Sequence, residues 1–359
     1  MADSYLFYDI ETSGLNKAFD QVLQFAAIRT DRQLNEIDRH SVMVKLRPDV
    51  IPSPAALLTN RIPVTKFSDG LCEYEAAAQI HRLMNQPGTI SLGYNTMGFD
   101  DEFMRFSFHR NLLPPYTHQY KNGCSRMDLY PITIIYRLFK KDVLIWPQID
   151  GKISLKLEHL SSANRLVSGQ SHEAIVDVAA TVELARRFFK KEKIWRYLEG
   201  YFDKETDAHR MAQLPVGLQS AAGDHCSGLM VSGEYGPGQN YQIPVISIGS
   251  SLPYPNQTLW LRLDLPQLRE TTPEATAETT WVIRKRMGEP GIVLPPHDRY
   301  WQKIGKDRNA IFQENLEWLQ ANQEIFQYII KYYREYRYTF IPNLDPDDAL
   351  YQIGFYYRA

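Results

Sequence analysis

The sequence predicts an α/β fold with a mixed sheet, followed by a smaller β-rich part and a helical end. Three observations carry this. The first half alternates short apolar strand-like runs with stretches of helical spacing. From about residue 193 the texture changes to β-like runs broken by Gly and Pro. From Asp307 to Glu335 apolar residues return at helical spacing, with Ile311, Leu316, Leu319, Ile325, Ile329 and Tyr332. A chain of 359 residues is long for one domain. The expected division is 1–195, 196–305 and 306–359.

Taken in order, Tyr5-Leu6-Phe7-Tyr8-Asp9-Ile10-Glu11 reads as a buried strand that ends in two acids and turns at Gly14. Val22–Thr30 is a second strand, residues 31–36 a polar turn, and Ser41–Leu46 a third strand that stops at a Pro-containing loop. Tyr74–Met84 has helical spacing, and Ile90–Asn95 is a short strand. In the later part Gly228–Ser232, Tyr241–Ile248 and Thr258–Leu265 read as strands, and residues 195–211 as the end of a helical connector.

Composition narrows the class. With 44% hydrophobic residues the chain can bury sizeable cores. It has no apolar run of the length that spans a bilayer, so no membrane segment is expected. No secretory signal is apparent at Met1-Ala2-Asp3-Ser4. Cys72, Cys124 and Cys226 are widely spaced, which suits a reducing cytoplasm and argues against a zinc site or a disulfide framework. A net charge of −2 does not exclude nucleic acid, because charge can be segregated on one face.

Three acidic blocks carry the chemistry. Asp9 and Glu11 are two apart on a strand, so both aim at one spot. Carboxylates that close repel unless a cation lies between them, and a hard divalent ion with oxygen ligands is the simplest remedy. Alone, Asp-x-Glu is common. Phe99-Asp100-Asp101-Glu102 opens the second block. Acids favour a first helical turn, but three exceed what a cap needs. The third block is Ser171-His172-Glu173-Ala174-Ile175-Val176-Asp177, with Ser171 as N-cap and Asp177 in an apolar stretch. A buried carboxylate there is costly unless paired or metal-bound. His172 near a metal-bound water would be a natural proton acceptor.

In this order the blocks resemble the DEDD superfamily of 3′→5′ exonucleases, in the subgroup with histidine. Gln24–Asp31, Gly93-Tyr94-Asn95 with Phe99–Glu102, and Leu157–Leu160 with Ala163-Asn164 look like the bacterial exodeoxyribonuclease I family. The resemblance covers residues 4 to 200 well and continues more weakly to the end. It implies an RNase H-like exonuclease domain and an SH3-like domain beside it. It also implies a further C-terminal helical region, of which this chain is expected to hold only the start. The implied activity is Mg²⁺-dependent 3′→5′ degradation of single-stranded DNA to 5′-mononucleotides in DNA repair or recombination. Trimming of RNA or short oligonucleotides is the alternative. By resemblance, Asp9, Glu11 and Asp177 hold one Mg²⁺, and Asp9 and Asp100 a second, with Mn²⁺ able to substitute. His172 takes a proton from water, and Glu11 also touches the terminal nucleotide. Asp100 is preferred to Asp101 because it follows Phe99 directly. Lys156 falls where the family has an arginine near the substrate. Arg105, Tyr116, Tyr120 and Arg126 interleave cations and aromatics as a single-strand binder does. Implied partners are single-stranded DNA and the acidic tail of single-stranded DNA-binding protein, for a cytoplasmic, monomeric enzyme.

Overall fold

The computed structural model describes residues 4–167 and 174–338. Its first sheet has the order β3-β2-β1-β4-β5, with β1 Ser4–Thr12, β2 Val22–Thr30, β3 Glu36–Met43, β4 Thr89–Gly93 and β5 Ser125–Asp128. The first three strands form an antiparallel meander, while β4 and β5 run parallel to β1. The fold is therefore α/β with a mixed sheet.

The alternation in β1 sorts its side chains into two layers. Leu6, Tyr8 and Ile10 join Phe25, Ala27 and the helices Glu73–Met84 and Asp100–Arg110. Tyr5 and Phe7 point the other way, into a core with Ile132, Tyr136, Val178, Val182 and Phe188. These residues come from the helices Leu129–Phe139 and Ala174–Phe189. The second of these lies over β1 and β2.

The third strand begins at Glu36 and not at Ser41 as expected. It is the sheet's edge, and its outer half, Glu36, Asp38, Arg39 and His40, is polar and mostly solvent-facing. The apolar signal used to find strands is missing there, and charge on an edge also blocks unwanted pairing.

A short hairpin, β6 Gln148–Ile149 and β7 Lys152–Ile153, leads towards the helix Ala174–Phe189. The second sheet contains β8 Val216–Ser220, β9 Gly223–Val231, β10 Gln242–Ser250, β11 Thr258–Arg262, β12 Val282–Lys285 and β13 Ile292–Leu294. Its order is β12-β11-β10-β9-β13, and β8 pairs with the start of β9. One face, with Met230, Ile243, Val245 and Val293, shares the core of the first sheet. The other face, with Ile246, Ile248, Leu259 and Leu261, packs on Phe312, Leu319, Phe326 and Ile329 of the helices Lys306–Ala321 and Gln323–Glu335.

The expected junctions meet this packing in specific ways. Position 195/196 falls inside the helix Glu192–Glu199, whose buried Trp195 donates from Nε1 to Tyr5 Oη at 2.9 Å. This helix is thus fastened to β1. The helices after residue 305 share a core with the second sheet. Among the described residues no helix is long and apolar enough to cross a membrane.

Phe326 is fully buried between helix and sheet. Phe326→Ala should lower unfolding stability by about 3–5 kcal/mol. Denaturation followed on the second sheet measures it, and an unchanged midpoint would show that the helices do not share that core.

Candidate active site

All nine residues of β1 are buried except Asp9 and Glu11, which are half-buried at its carboxyl end. They follow Tyr5 and Phe7 on the side covered by the helix Ala174–Phe189. Pairing with β4 stops at Phe7 and Leu92, whereas β2 continues alongside as far as Thr12. Beyond Phe7 the strand is thus flanked on one side only. A crevice opens where β1 has an antiparallel neighbour on one side and a parallel one on the other, as at the switch points of open α/β sheets.

The chain turns sharply out of β4 into this crevice. At Gly93 a Cβ would lie 2.5 Å from Tyr8 O and 2.2 Å from Thr96 Cγ2, so only glycine fits. Asn95 then takes a left-handed conformation, φ 64°. Asp128, buried at the end of β5, holds the turn. Its carboxylate accepts from Asn95 N at 2.8 Å, Met97 N at 3.1 Å and Tyr130 N at 2.8 Å. One side chain therefore caps the helix Leu129–Phe139 and fixes the loop that delivers Asp100. Asp100 opens its helix and accepts from Ile10 N at 3.3 Å, so it enters beside Asp9 and Glu11 from the opposite layer.

Asp101 has different surroundings. It is fully buried, paired with Arg126, and its Oδ1 lies 3.2 Å from His118 Nε2. Burial alone would push its carboxyl up, but Arg126 and His118 hold it well below the usual range.

The other acids behave in the opposite way. Burial, then Asp100 and Asp177, push the Asp9 carboxyl far above its ordinary value. Burial, then Asp9 and Asp177, push Glu11 up to about 8. Burial also raises Asp100; amide bonds from its own N–H and that of Ile10 oppose this, while Asp128 and Glu11 add to it. Asp9, Glu11, Asp100 and Asp177 thus lie in one electrostatic field. An all-oxygen, strongly anionic donor set fits a hard divalent cation. The four are neighbours and not a closed cage: among the described residues no three acidic, histidine or cysteine side chains converge as a metal group. His172 and Ser171 lie outside the described residues.

A groove of about 570 Å³ runs past this cluster, lined by Asp177, Tyr94, Tyr130, Lys156, Glu158 and Tyr241 among others. It continues at Asn95, Tyr130 and Gly233 into a recess of about 320 Å³ that holds Arg105, Arg126, Arg286, Asp128 and Glu289. The groove therefore lies between the two sheets. Gly233 makes this closeness possible, because a Cβ there would meet the Tyr130 ring at 2.2 Å.

The substrate contacts expected from sequence divide. Lys156 lines the groove, 72% exposed at its side chain and 3.7 Å from Glu158 Oε1. Arg105 lines the recess, buried, ion-paired to Glu102 and stacked 4.5 Å from the Tyr116 ring, whose hydroxyl it also contacts at 2.8 Å. Tyr116 and the exposed Tyr120 line neither space. Arg126 is committed to Asp101 and Glu289. The sequence reading missed Asp128, although an acid directly before the apolar run Leu129–Phe139 is an N-cap signal. It also missed Glu289 and Tyr130, for which no local signal exists.

Comparison with known proteins agrees with this architecture. The exonuclease family model matches residues 6–185, half of the chain, and the chain belongs to that family. Exodeoxyribonuclease I of Haemophilus influenzae is 36% identical over 198 residues, which is 54% of this chain and 42% of that protein. The Escherichia coli exodeoxyribonuclease I is 29% identical, over 99% of this chain and 77% of its own length. The chain thus spans under half of the Haemophilus relative that it matches. Escherichia coli exonuclease I in complex with a dA16 oligonucleotide has a TM-score of 0.82 at 27% identity, covering 97% of this chain and 77% of that one. An exonuclease I/SSB-Ct complex has a TM-score of 0.81 at 26% identity, over 94% and 75%. A zinc-bound exonuclease I–single-stranded DNA complex has 0.82 at 27%, over 97% and 76%.

Asp128→Ala should leave three amides without their acceptor, at about 1–3 kcal/mol for each that stays buried. Hydrogen exchange at the Asn95 and Met97 amides should accelerate. Unchanged protection would mean that Asp128 does not hold the loop.

Proposed function

We propose that this chain is a divalent-metal-dependent 3′→5′ exonuclease that degrades single-stranded DNA to 5′-mononucleotides. The observation that carries this is the gathering of Asp9, Glu11, Asp100 and Asp177 into one field beside a groove between two sheets. A binding module has no need for so unfavourable a set. The solved relatives with oligonucleotides support the substrate, and the zinc-bound one supports a divalent cation.

In this reading Asp9, Glu11 and Asp177 hold one ion, and Asp9 and Asp100 the second, with Mg²⁺ the working metal and Mn²⁺ a substitute. When bound, the two ions supply charge stabilisation to the attacking and leaving oxygens. The chain's own residues do the rest. The Ile10 amide and the Asp128-held loop keep Asp100 facing β1. Glu11, half-buried near the strand's carboxyl end, meets the terminal nucleotide. Lys156 meets phosphate in the groove. His172 takes the proton of the attacking water as the bond from phosphorus to the 3′ oxygen breaks, which frees the last nucleotide with its phosphate on the 5′ carbon. The engaged Asp101 is held ionised by Arg126 and His118, which supports Asp100 for the metal role. The enzyme would act as a cytoplasmic monomer in DNA repair or recombination. The SSB-Ct complex supports the acidic tail of single-stranded DNA-binding protein as a partner.

Asp177→Ala should abolish nucleotide release while leaving single-strand binding largely intact. Full activity in that variant would remove Asp177 from the site. His172→Ala should slow hydrolysis by about 10²- to 10⁴-fold, the usual general-base contribution. A rate that stays the same across neutral pH would remove His172 from that role.

A further inference from the structure

The groove has a second arm. At Ile153, Pro237 and Tyr241 it passes into a cleft of about 290 Å³ lined also by Arg137 and Lys152. The two arms differ in charge. In the recess on the Asp128 side, Arg105 is paired with Glu102, and Arg126 with Asp101 and Glu289. Four acids line that recess: Glu102, Asp128, Glu234 and Glu289. Of its three arginines, Arg105 and Arg126 are thus ion-paired, and among the described residues only Arg286 has no acid partner. Among the described residues no acid lines the Arg137 cleft. Among the described residues Arg137 and Lys152 form no ion pair; the Arg137 guanidinium lies 5.8 Å from the Trp146 ring centroid, and its Nε is buried without a hydrogen-bond partner. Arg137 sits in the last turn of its helix, where a cation suits the dipole, but that does not supply the missing acceptor.

The wall shared by groove and cleft is also unusual. Asn240 and Tyr241 are consecutive non-glycine residues with φ of 52° and 56°. Such conformations persist where the surroundings hold them, and they cluster at binding sites. Here the pair places the buried Tyr241 against both spaces.

We propose that the Arg137–Lys152 cleft is a phosphodiester-binding site, which takes the backbone of the strand upstream of the end held at the carboxylates. This rests on the exonuclease reading. Unpaired cations on a groove gain most from phosphate, and each neutralised phosphate adds to the salt dependence of binding. The recess sets four acids against three arginines, two of them already paired, so the backbone gains less there and the polymer leaves through the other arm.

The test is fluorescence anisotropy of a labelled oligothymidylate in EDTA, for the native chain and the double variant Arg137→Gln/Lys152→Gln, over a salt series. Steady-state cleavage with Mg²⁺ runs alongside. The variant should bind roughly tenfold more weakly at physiological salt. Its log–log salt slope should fall by about 1.4, as expected for two phosphates on a single strand. KM should rise with kcat unchanged, and the defect should shrink as the oligonucleotide is shortened. An unchanged Kd and slope, beside a native chain that binds and cleaves, would overturn this site alone. Equal losses on short and long substrates would overturn it as general damage. Unchanged DNA binding with lost affinity for an acidic peptide would overturn it in favour of a protein ligand. A native chain that neither binds nor cleaves single-stranded DNA would overturn the exonuclease reading and this site together.

Discussion

The repulsion among Asp9, Glu11, Asp100 and Asp177 is the constraint on which the rest of the structure depends. Carboxylates lose free energy when water is removed, and more when their neighbours carry the same sign. This fold does both at once. It places two acids near the end of a buried strand, covers them with the helix Ala174–Phe189, and brings a third in from the opposite layer. The supporting features mainly hold the charge in place, and only the amides that bind Asp100 relieve it in part. Asp128 grips the loop before Asp100, Gly93 lets that loop press on β1, and Ile10 N binds Asp100 directly. A hard cation is the natural complement of such an arrangement.

The contrast between Asp100 and Asp101 shows how finely the surroundings assign roles. The two are adjacent, in one helical turn, and both are buried. One meets other acids and a backbone amide, and its proton is held tightly. The other meets Arg126 and His118, and its proton is lost easily. Arg126 reaches on to Glu289 of the second sheet's outer turn, with Nη2 2.6 Å from Oε1. Arg126 thus links the carboxylate it sets apart to the second sheet across the recess.

Much of this was legible in the sequence, for physical reasons. The strand at Tyr5 was readable because it is buried on both faces. Asp9 and Glu11 were readable as a pair because the strand period is two. Asp100 was favoured over Asp101 only through resemblance, and its geometry depends on Asp128, which lies 28 residues on, across β5. The start of β3 was hidden because an edge strand carries no apolar signal. The helices Lys306–Ala321 and Gln323–Glu335 were found from periodicity, but periodicity does not say what an apolar face covers. It covers the second sheet. The groove, built from segments near residues 94, 155, 177, 233 and 241, has no local signature at all.

In the proposed function the four carboxylates form a cation-dependent site for hydrolysing the end of a single strand. The most direct test is a time course on 5′-labelled single-stranded DNA with Mg²⁺ or with EDTA, beside the same sequence as RNA and as blunt duplex. A ladder shortening from the 3′ end, on the single DNA strand and only with Mg²⁺, is expected. Equal shortening in EDTA, or no cleavage of any substrate, would contradict it.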